Sequence, residues 1–261
     1  MSYETIKVTE PSPGITVITF ARPDVANALS SQMARDLLDI WSKLRGGDAG
    51  LRCVILAGEG KHFQAGADLK ERNGMTDEAW AEQHRLFEAM VRAQLACPVP
   101  IIAAVQGAAM GGGCEMSLAC DFTYAAEGAR FGLPEAGLGI MPGLGGTQLL
   151  TRAVGPRRAI EIMTTAAPFT AQQAVEWGLV SAVVAPEALM ETVLAVAAQI
   201  ATRAPLSVRG LKRVVHGGQD LDLKRAMDLE LTVYNQLFTT ADRREGVASF
   251  NEKRTPNFKG A

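Results

Sequence analysis

Three consecutive glycines, Gly111, Gly112 and Gly113, stand between the apolar run Ile101–Val105 and a stretch, Cys114, Glu115, Met116, Ser117 and Leu118, that reads as a helix. Glycine has no Cβ to hold a ligand away from the main chain and takes positive φ freely, so three together are poor core material. At a helix N-terminus they would present free N–H groups and the positive end of the helix dipole, a setting that favours negative charge. Glu115 would then be a lone carboxylate beside a main-chain anion site. Taken by itself, the stretch fits a tight strand-to-helix turn carrying a surface acid equally well.

Other chemistries find less support. Cys53, Cys97, Cys114 and Cys120 form neither a Cys-x-x-Cys pair nor a secreted disulfide pattern, and three histidines without a ligand cluster give no expectation of a metal. The thiols are read as reduced. Cys114, beside Glu115, is read as a buried small apolar residue rather than a nucleophile, and His62, His84 and His216 as surface or structural residues. No Gly-x-Gly-x-x-Gly follows a strand and opens a helix, so dinucleotide binding is not expected. With 26 Lys and Arg against 28 Asp and Glu, a net charge of −2 and a pI near 6.0, the chain lacks the basic footprint of a nucleic-acid-binding protein. No run of about 18 apolar residues could span a bilayer. The N-terminus, Met1 to Lys7, begins as a strand with no apolar signal core, so a cytoplasmic location is expected. At 261 residues and 48% hydrophobic, the chain can bury a large core.

The elements that must position these residues alternate. Residues 3–9 and 15–20 read as a hairpin around the turn-rich Glu10-Pro11-Ser12-Pro13-Gly14. Ser30 or Ser31 can cap a helix with apolar positions from Met33 to Leu44, ended by Gly46-Gly47. Residues 51–57 and 101–105 read as buried strands. Between them lie a glycine-containing loop, 58–69, a polar and mobile connection, 70–76, and a helix from Asp77 to Ala96 capped by Thr76. Further short strands are expected at 121–126, 129–132 and 180–184, with helix between 148 and 177 capped in part by Thr170. From 187 onward the pattern is helical, at 187–203, 205–216, 221–239 and 241–253. Such a tail suggests a subdomain or an oligomerisation arm, although Leu229, Leu231, Tyr234, Leu237 and Phe238 fit ordinary core equally well.

Four ordered motifs carry a resemblance. They are His62-Phe63-Gln64-Ala65-Gly66-Ala67-Asp68-Leu69, Gln106-Gly107-Ala108-Ala109-Met110-Gly111-Gly112-Gly113-Cys114-Glu115, Phe131-Gly132-Leu133-Pro134-Glu135-Ala136-Gly137-Leu138-Gly139 and Pro142-Gly143-Leu144-Gly145-Gly146-Thr147. Together they resemble the crotonase superfamily, and within it the enoyl-CoA hydratases. The match runs from Arg22-Pro23 to the tail around Lys253. It implies an α/β fold, a spiral of repeated ββα units over residues 1–200 with a helical C-terminal region, 201–261, that serves oligomerisation as a homotrimer or homohexamer. It also implies reversible syn hydration of a 2-enoyl-CoA in fatty acid metabolism, with coenzyme A entering as part of the acyl-CoA substrate and no permanently bound cofactor.

Site residues follow from the same resemblance. The N–H groups of Ala67 and Gly112 would hold the thioester oxygen as it gains charge, Glu115 would orient and deprotonate water, and Glu135 would exchange the proton at the α carbon. Glu115 lies three residues after Gly112, one turn along the same helix face. Pro134 fixes the approach of Glu135, and two carboxylates in one apolar site push their pKa values apart. Gly143 would help hold the water or the surroundings of Glu135. The coenzyme A adenine is expected against Gln64, Ala65, Gly66, Asp68 and Leu69, with main-chain contacts from Asp24, Val25 and Ala26, and Lys253 near its phosphates. Gln64 stands where the family more often has a small residue, which would alter the adenine pocket or its rim. The acyl tail is expected between 70–80 and the C-terminal helices. The resemblance leaves open a Δ3,Δ2-enoyl-CoA isomerase, a hydratase of a specialised acyl-CoA (carnitine-type or aromatic-degradation), and an RNA-binding relative, which the acidic pI disfavours.

Overall fold

The computed structural model describes residues 3–46 and 50–261. Two strands, β1 (Ile6–Ser12) and β2 (Ile15–Phe20), form an antiparallel hairpin, followed by α1 (Ser31–Arg45), β3 (Cys53–Gly58), the single turn α2 (Leu69–Arg72) and α3 (Asp77–Leu95). Next come β4 (Ile101–Val105), β5 (Ala108–Met110), α4 (Gly112–Leu118), β6 (Phe122–Ala126) and β7 (Arg130–Gly132). After these are α5 (Gly146–Val154), α6 (Pro156–Thr165), β8 (Phe169–Thr170), α7 (Ala171–Glu176) and β9 (Ala182–Val184), and then four helices, α8 (Leu189–Ala201), α9 (Pro205–Gly218), α10 (Leu223–Asn235) and α11 (Ala241–Asn251).

The strands divide into two sheets, one of six in the order β1-β2-β3-β4-β6-β9 and one of three in the order β5-β7-β8. From β2 to β9 the larger sheet is parallel. Each ββ pair splits between the sheets: β4 and β6 enter the large one, while β5 and β7, which follow them directly, pair in the small one. Repetition of this step winds the chain into a spiral.

Covered on both faces, β3 and β4 are apolar almost throughout, as buried parallel strands must be. Alternation sorts their side chains. Val54, Leu56, Ile101 and Ala103 pack with Leu37, Trp41, Phe87 and Met90 of α1 and α3. Cys53, Ile55, Ile102 and Ala104 pack with Leu189, Val193 and Ala197 of α8.

Most expected elements lie within a few residues of their predicted places, and Ser30, Thr76 and Thr170 each cap the helix that follows. Three differ. β1 runs through Glu10, Pro11 and Ser12, because the chain reverses on Gly14, whose φ of +78° needs no longer linker. Residues 69–72 are helical rather than irregular, since the Asp68 carboxylate accepts from the N–H groups of Lys70 and Glu71. β5 belongs to a strand pairing that the glycine-rich run concealed. The expected helix end at Gly46-Gly47 is met at Gly46, which follows α1; Gly47, like Met1 and Ser2, lies outside the described residues.

The C-terminal helices are tied to the core by polar contacts. Lys212 on α9 donates to the Val99 carbonyl and pairs with Asp121, which also meets His216. On α10 and beyond, Leu231, Tyr234 and Phe238 are exposed in the single chain, so they are not core there.

Candidate active site

The loop carrying Ala67 is laid against β5 by a strand-like ladder. The Gln64 N–H donates to Ala108 O, and the Met110 N–H donates to Gln64 O, both at 3.0 Å. Beyond it, the Leu29 N–H donates to Gly66 O at 2.8 Å and the Asp68 N–H to Leu29 O at 2.9 Å, which brackets Ala67 from both sides. The Ala67 N–H itself has no protein acceptor among the described residues, and neither does that of Gly112 at the start of α4. Both residues line one cavity of about 570 Å³.

Glycine is required where the two loops meet. A Cβ on Gly113 would stand 2.2 Å from the Gln64 carbonyl oxygen, and one on Gly111, where φ is +51°, 3.0 Å from Glu135 Oε1. α4 therefore docks its first turn directly onto the Ala67 loop, and Glu135 lies over the Gly111 Cα.

Glu115 and Glu135 both face this cavity and are almost wholly buried, with exposures of 2% and 8%. They differ in their partners. Glu115 Oε1 accepts from the Leu144 N–H at 2.7 Å and the Gly146 N–H at 2.8 Å. Burial raises the Glu115 pKa to about 7; these N–H groups and that of Gly143 oppose the rise, and the neighbouring Glu135 charge adds to it. Glu135 begins a short 3-10 turn after Pro134, and its Oε2 is buried without a protein partner. Burial alone raises its pKa. The site thus contains two main-chain donors directed at one space and two buried carboxyls whose pKa values burial raises, that of Glu115 to about 7.

Several expected residues fall differently. Gly143 lines the cavity, and its N–H acts on Glu115. A Cβ there would meet His84 Cε1 at 2.6 Å. Gln64 is fully buried, so its side chain offers nothing to an adenine pocket or its rim; its Oε1 instead accepts the Gly66 N–H at 2.7 Å and shapes the Ala67 turn. The Asp68 side chain is likewise committed, capping α2 and pairing with Arg22 at 3.0 Å. Ala65, Gly66 and Leu69 do line the cavity. Asp24 and Val25 are exposed in a 3-10 turn beside them, and Ala26 O accepts the Ala65 N–H, so the two stretches adjoin. Lys253 is exposed beyond α11 and does not line the cavity, nor among the described residues does any part of α9, α10 or α11.

The acyl wall expected at 70–80 is present in Arg72 and Trp80, and what the sequence reading missed is its continuation along α3. Trp80, His84 and Phe87 of α3 line the cavity together with Arg72 of α2, so His84, read as surface or structural, borders the cavity. Trp80, Gln83, His84 and Phe87 repeat at the i, i+3, i+4, i+7 spacing of one helix face, and the polar members of that apolar stripe were the available signal. His62 and His216 do hold structure, accepting the Ala108 N–H and meeting Asp121 respectively. Cys114 is buried and its thiol pKa is pushed far up, which removes it as a nucleophile.

Residues 10–261 match the family model described as enoyl-CoA hydratase/isomerase. The chain belongs to that family. It is 39% identical over 259 residues to a crotonyl-CoA hydratase of Syntrophomonas wolfei, covering 99% of each protein. It is 37% identical to a short-chain-enoyl-CoA hydratase of Clostridium acetobutylicum, covering 95% of each. A crystal structure of an enoyl-CoA hydratase from Bacillus anthracis superposes with a TM-score of 0.97 at 41% identity, over 99% of this chain and 100% of that one. The crotonase-type fold and an enzyme of the hydro-lyase type are thereby established for this member of the enoyl-CoA hydratase/isomerase family. No described helix is long and apolar enough to cross a membrane.

Proposed function

We propose that this enzyme adds water reversibly across the 2,3-double bond of a 2-enoyl-CoA thioester. The observation that carries the reading is the convergence of two unpaired main-chain N–H groups, on Ala67 and Gly112, with two buried carboxyls, Glu115 and Glu135, on one cavity. Ionised Glu115 takes a proton from water as its oxygen bonds to C3. The π electrons move toward the thioester, whose oxygen gains negative charge and is held by the two N–H donors; one such donor contributes about 3 kcal/mol to the transition state. Glu135, whose pKa burial raises, delivers a proton to C2. A base with a pKa about 7 works near its optimum at neutral pH.

A shift of a double bond from the 3- to the 2-position needs one carboxyl alone, so the presence of two supports hydration. Coenzyme A would lie along the 24–26 turn and Ala65, Gly66 and Leu69. The exposed Leu231, Tyr234 and Phe238 support assembly as a homotrimer or a dimer of trimers. The test is substitution at each carboxyl. Glu115→Gln and Glu135→Gln should each lower kcat for crotonyl-CoA hydration about 10²- to 10⁴-fold while coenzyme A thioesters still bind. Turnover near that of the unmodified enzyme in either variant would refute the assignment.

A further inference from the structure

The wall that α2 and α3 give the cavity contains a cation that the reaction does not use. Arg72, on the last position of α2, lines the cavity. Its guanidinium carbon stands 4.2 Å from the centroid of the Trp80 ring and 5.4 Å from that of Phe87. Its Nε donates to Gln83 Oε1 at 2.8 Å, and Gln83 in turn donates to Ser31 Oγ at 2.9 Å. The guanidinium plane is therefore fixed by two rings and one hydrogen bond. Neither Nη has an acceptor among the described residues, and neither is sealed from solvent.

Charges nearby do not account for it. Glu71, its sequence neighbour, is the one ionised group that acts on Arg72, and the Glu71 carboxylate accepts the Ser31 N–H. Arg72 is not among the charges that influence Glu115 or Glu135, so it does not serve them as a counter-ion. A half-buried cation in an aromatic wall is costly without an anion, and a rigid fork with two free Nη groups matches a carboxylate in two-point geometry.

We propose that Arg72 recognises a carboxylate at the distal end of the acyl chain, so that the preferred substrates are 2-enoyl-CoA thioesters of short dicarboxylic acids. This rests on the hydratase reading for its turnover measurement, and the binding measurement below stands apart from it. Trp80, stacked on Arg72, supplies an intrinsic fluorescence probe at the same spot.

Two experiments decide it. In the first, glutaryl-CoA and butyryl-CoA, which have no double bond to hydrate, are titrated against the full-length enzyme with tryptophan fluorescence as the readout. Glutaryl-CoA should bind at least tenfold more tightly, and Arg72→Met should abolish the difference. In the second, kcat/KM is measured for the five-carbon ω-carboxyl 2-enoyl-CoA and for crotonyl-CoA. Their ratio should fall about 100-fold in Arg72→Met and about tenfold in Arg72→Lys, which keeps the charge and loses the fork. Equal affinity for the two saturated thioesters overturns the proposal. An equal loss on both substrates in Arg72→Met also overturns it, since Arg72 would then serve the coenzyme A portion or the fold. Selective binding of glutaryl-CoA with no hydration of either substrate would instead uphold the carboxylate site and refute the hydratase reading.

Discussion

The polar groups that the Ala67 loop, α4 and the 143–146 loop bring to the cavity belong mostly to the main chain, whereas those that α2 and α3 bring are side chains. At the catalytic end the N–H groups of Ala67 and Gly112 face the substrate space, and those of Leu144 and Gly146 hold Glu115. On the α2 and α3 side, Arg72, Trp80, His84 and Phe87 line the same cavity. Main-chain donors are fixed by strand pairing and helix docking and cost no side-chain entropy to hold. Side chains on an amphipathic helix can be exchanged one at a time without moving the scaffold. The first kind of construction suits a reaction that must not vary, and the second suits a choice of acyl group.

If that division holds, the most damaging small change should lie at the catalytic end. A Cβ on Gly146 would stand 2.9 Å from both Cγ and Oε1 of Glu115 and 3.1 Å from Pro142 Cβ. Gly146→Ala should therefore displace Glu115 and lower kcat about 100-fold, as misplacement by roughly 1 Å does, with the circular-dichroism spectrum unchanged. Unaltered turnover would show that the main-chain cradle of Glu115 tolerates movement, which would break the comparison.

A smaller effect, and a sharper one, comes from pH. If ionised Glu115 is the base, kcat/KM should rise about tenfold per pH unit below its pKa of about 7 and level off above it. Stability should move the other way. With the folded pKa raised from 4.5 to about 7, the native state binds more protons than the unfolded chain between those values. Stability is therefore fullest below pH 4.5 as far as this group is concerned, and it declines by on the order of 3 kcal/mol as pH rises through 7. Glu115→Gln removes both dependences, so chemical unfolding at pH 5 and pH 8 should differ less in that variant than in the unmodified enzyme. An equal difference in the two proteins would assign the effect to other groups.

The same division explains what could be read from the sequence. Gly111-Gly112-Gly113 and Gly145-Gly146 announce close main-chain approach because no other residue allows it, and Glu115 and Glu135 lie at recognisable intervals from them. The buried strands β3 and β4 are legible as unbroken apolar runs. The chain's glycines did not reveal which carboxylate the Gly143–Gly146 loop serves, since that depends on how α5 docks against α4. Gln64 looks from its loop setting like a rim residue, and its burial follows from the ladder with β5, which local pattern conceals. His84 was invisible for a related reason, and so was the role of Arg72 within the expected 70–80 wall: a polar residue on a helix is ordinary until the helix is seen to cover a cavity.

The mildest prediction concerns the lip of the acyl end. Leu138 lines the cavity, yet it is 55% exposed, on the 3-10 turn that begins with Glu135. Its contact with an acyl chain is therefore partial, on the order of 40 Å² of apolar surface, which corresponds to about 1 kcal/mol. Leu138→Ala should raise KM about fivefold for thioesters long enough to reach it and less for crotonyl-CoA. The pH at which kcat/KM reaches half its plateau should stay in place, because Glu115 stays buried and the N–H groups that temper its pKa belong to a different loop. A shift of that midpoint by a full unit would mean that the turn carrying Leu138 transmits strain through Glu135 to Glu115. The two ends of the cavity would then be mechanically coupled, and acyl-chain choice would not be separable from the chemistry.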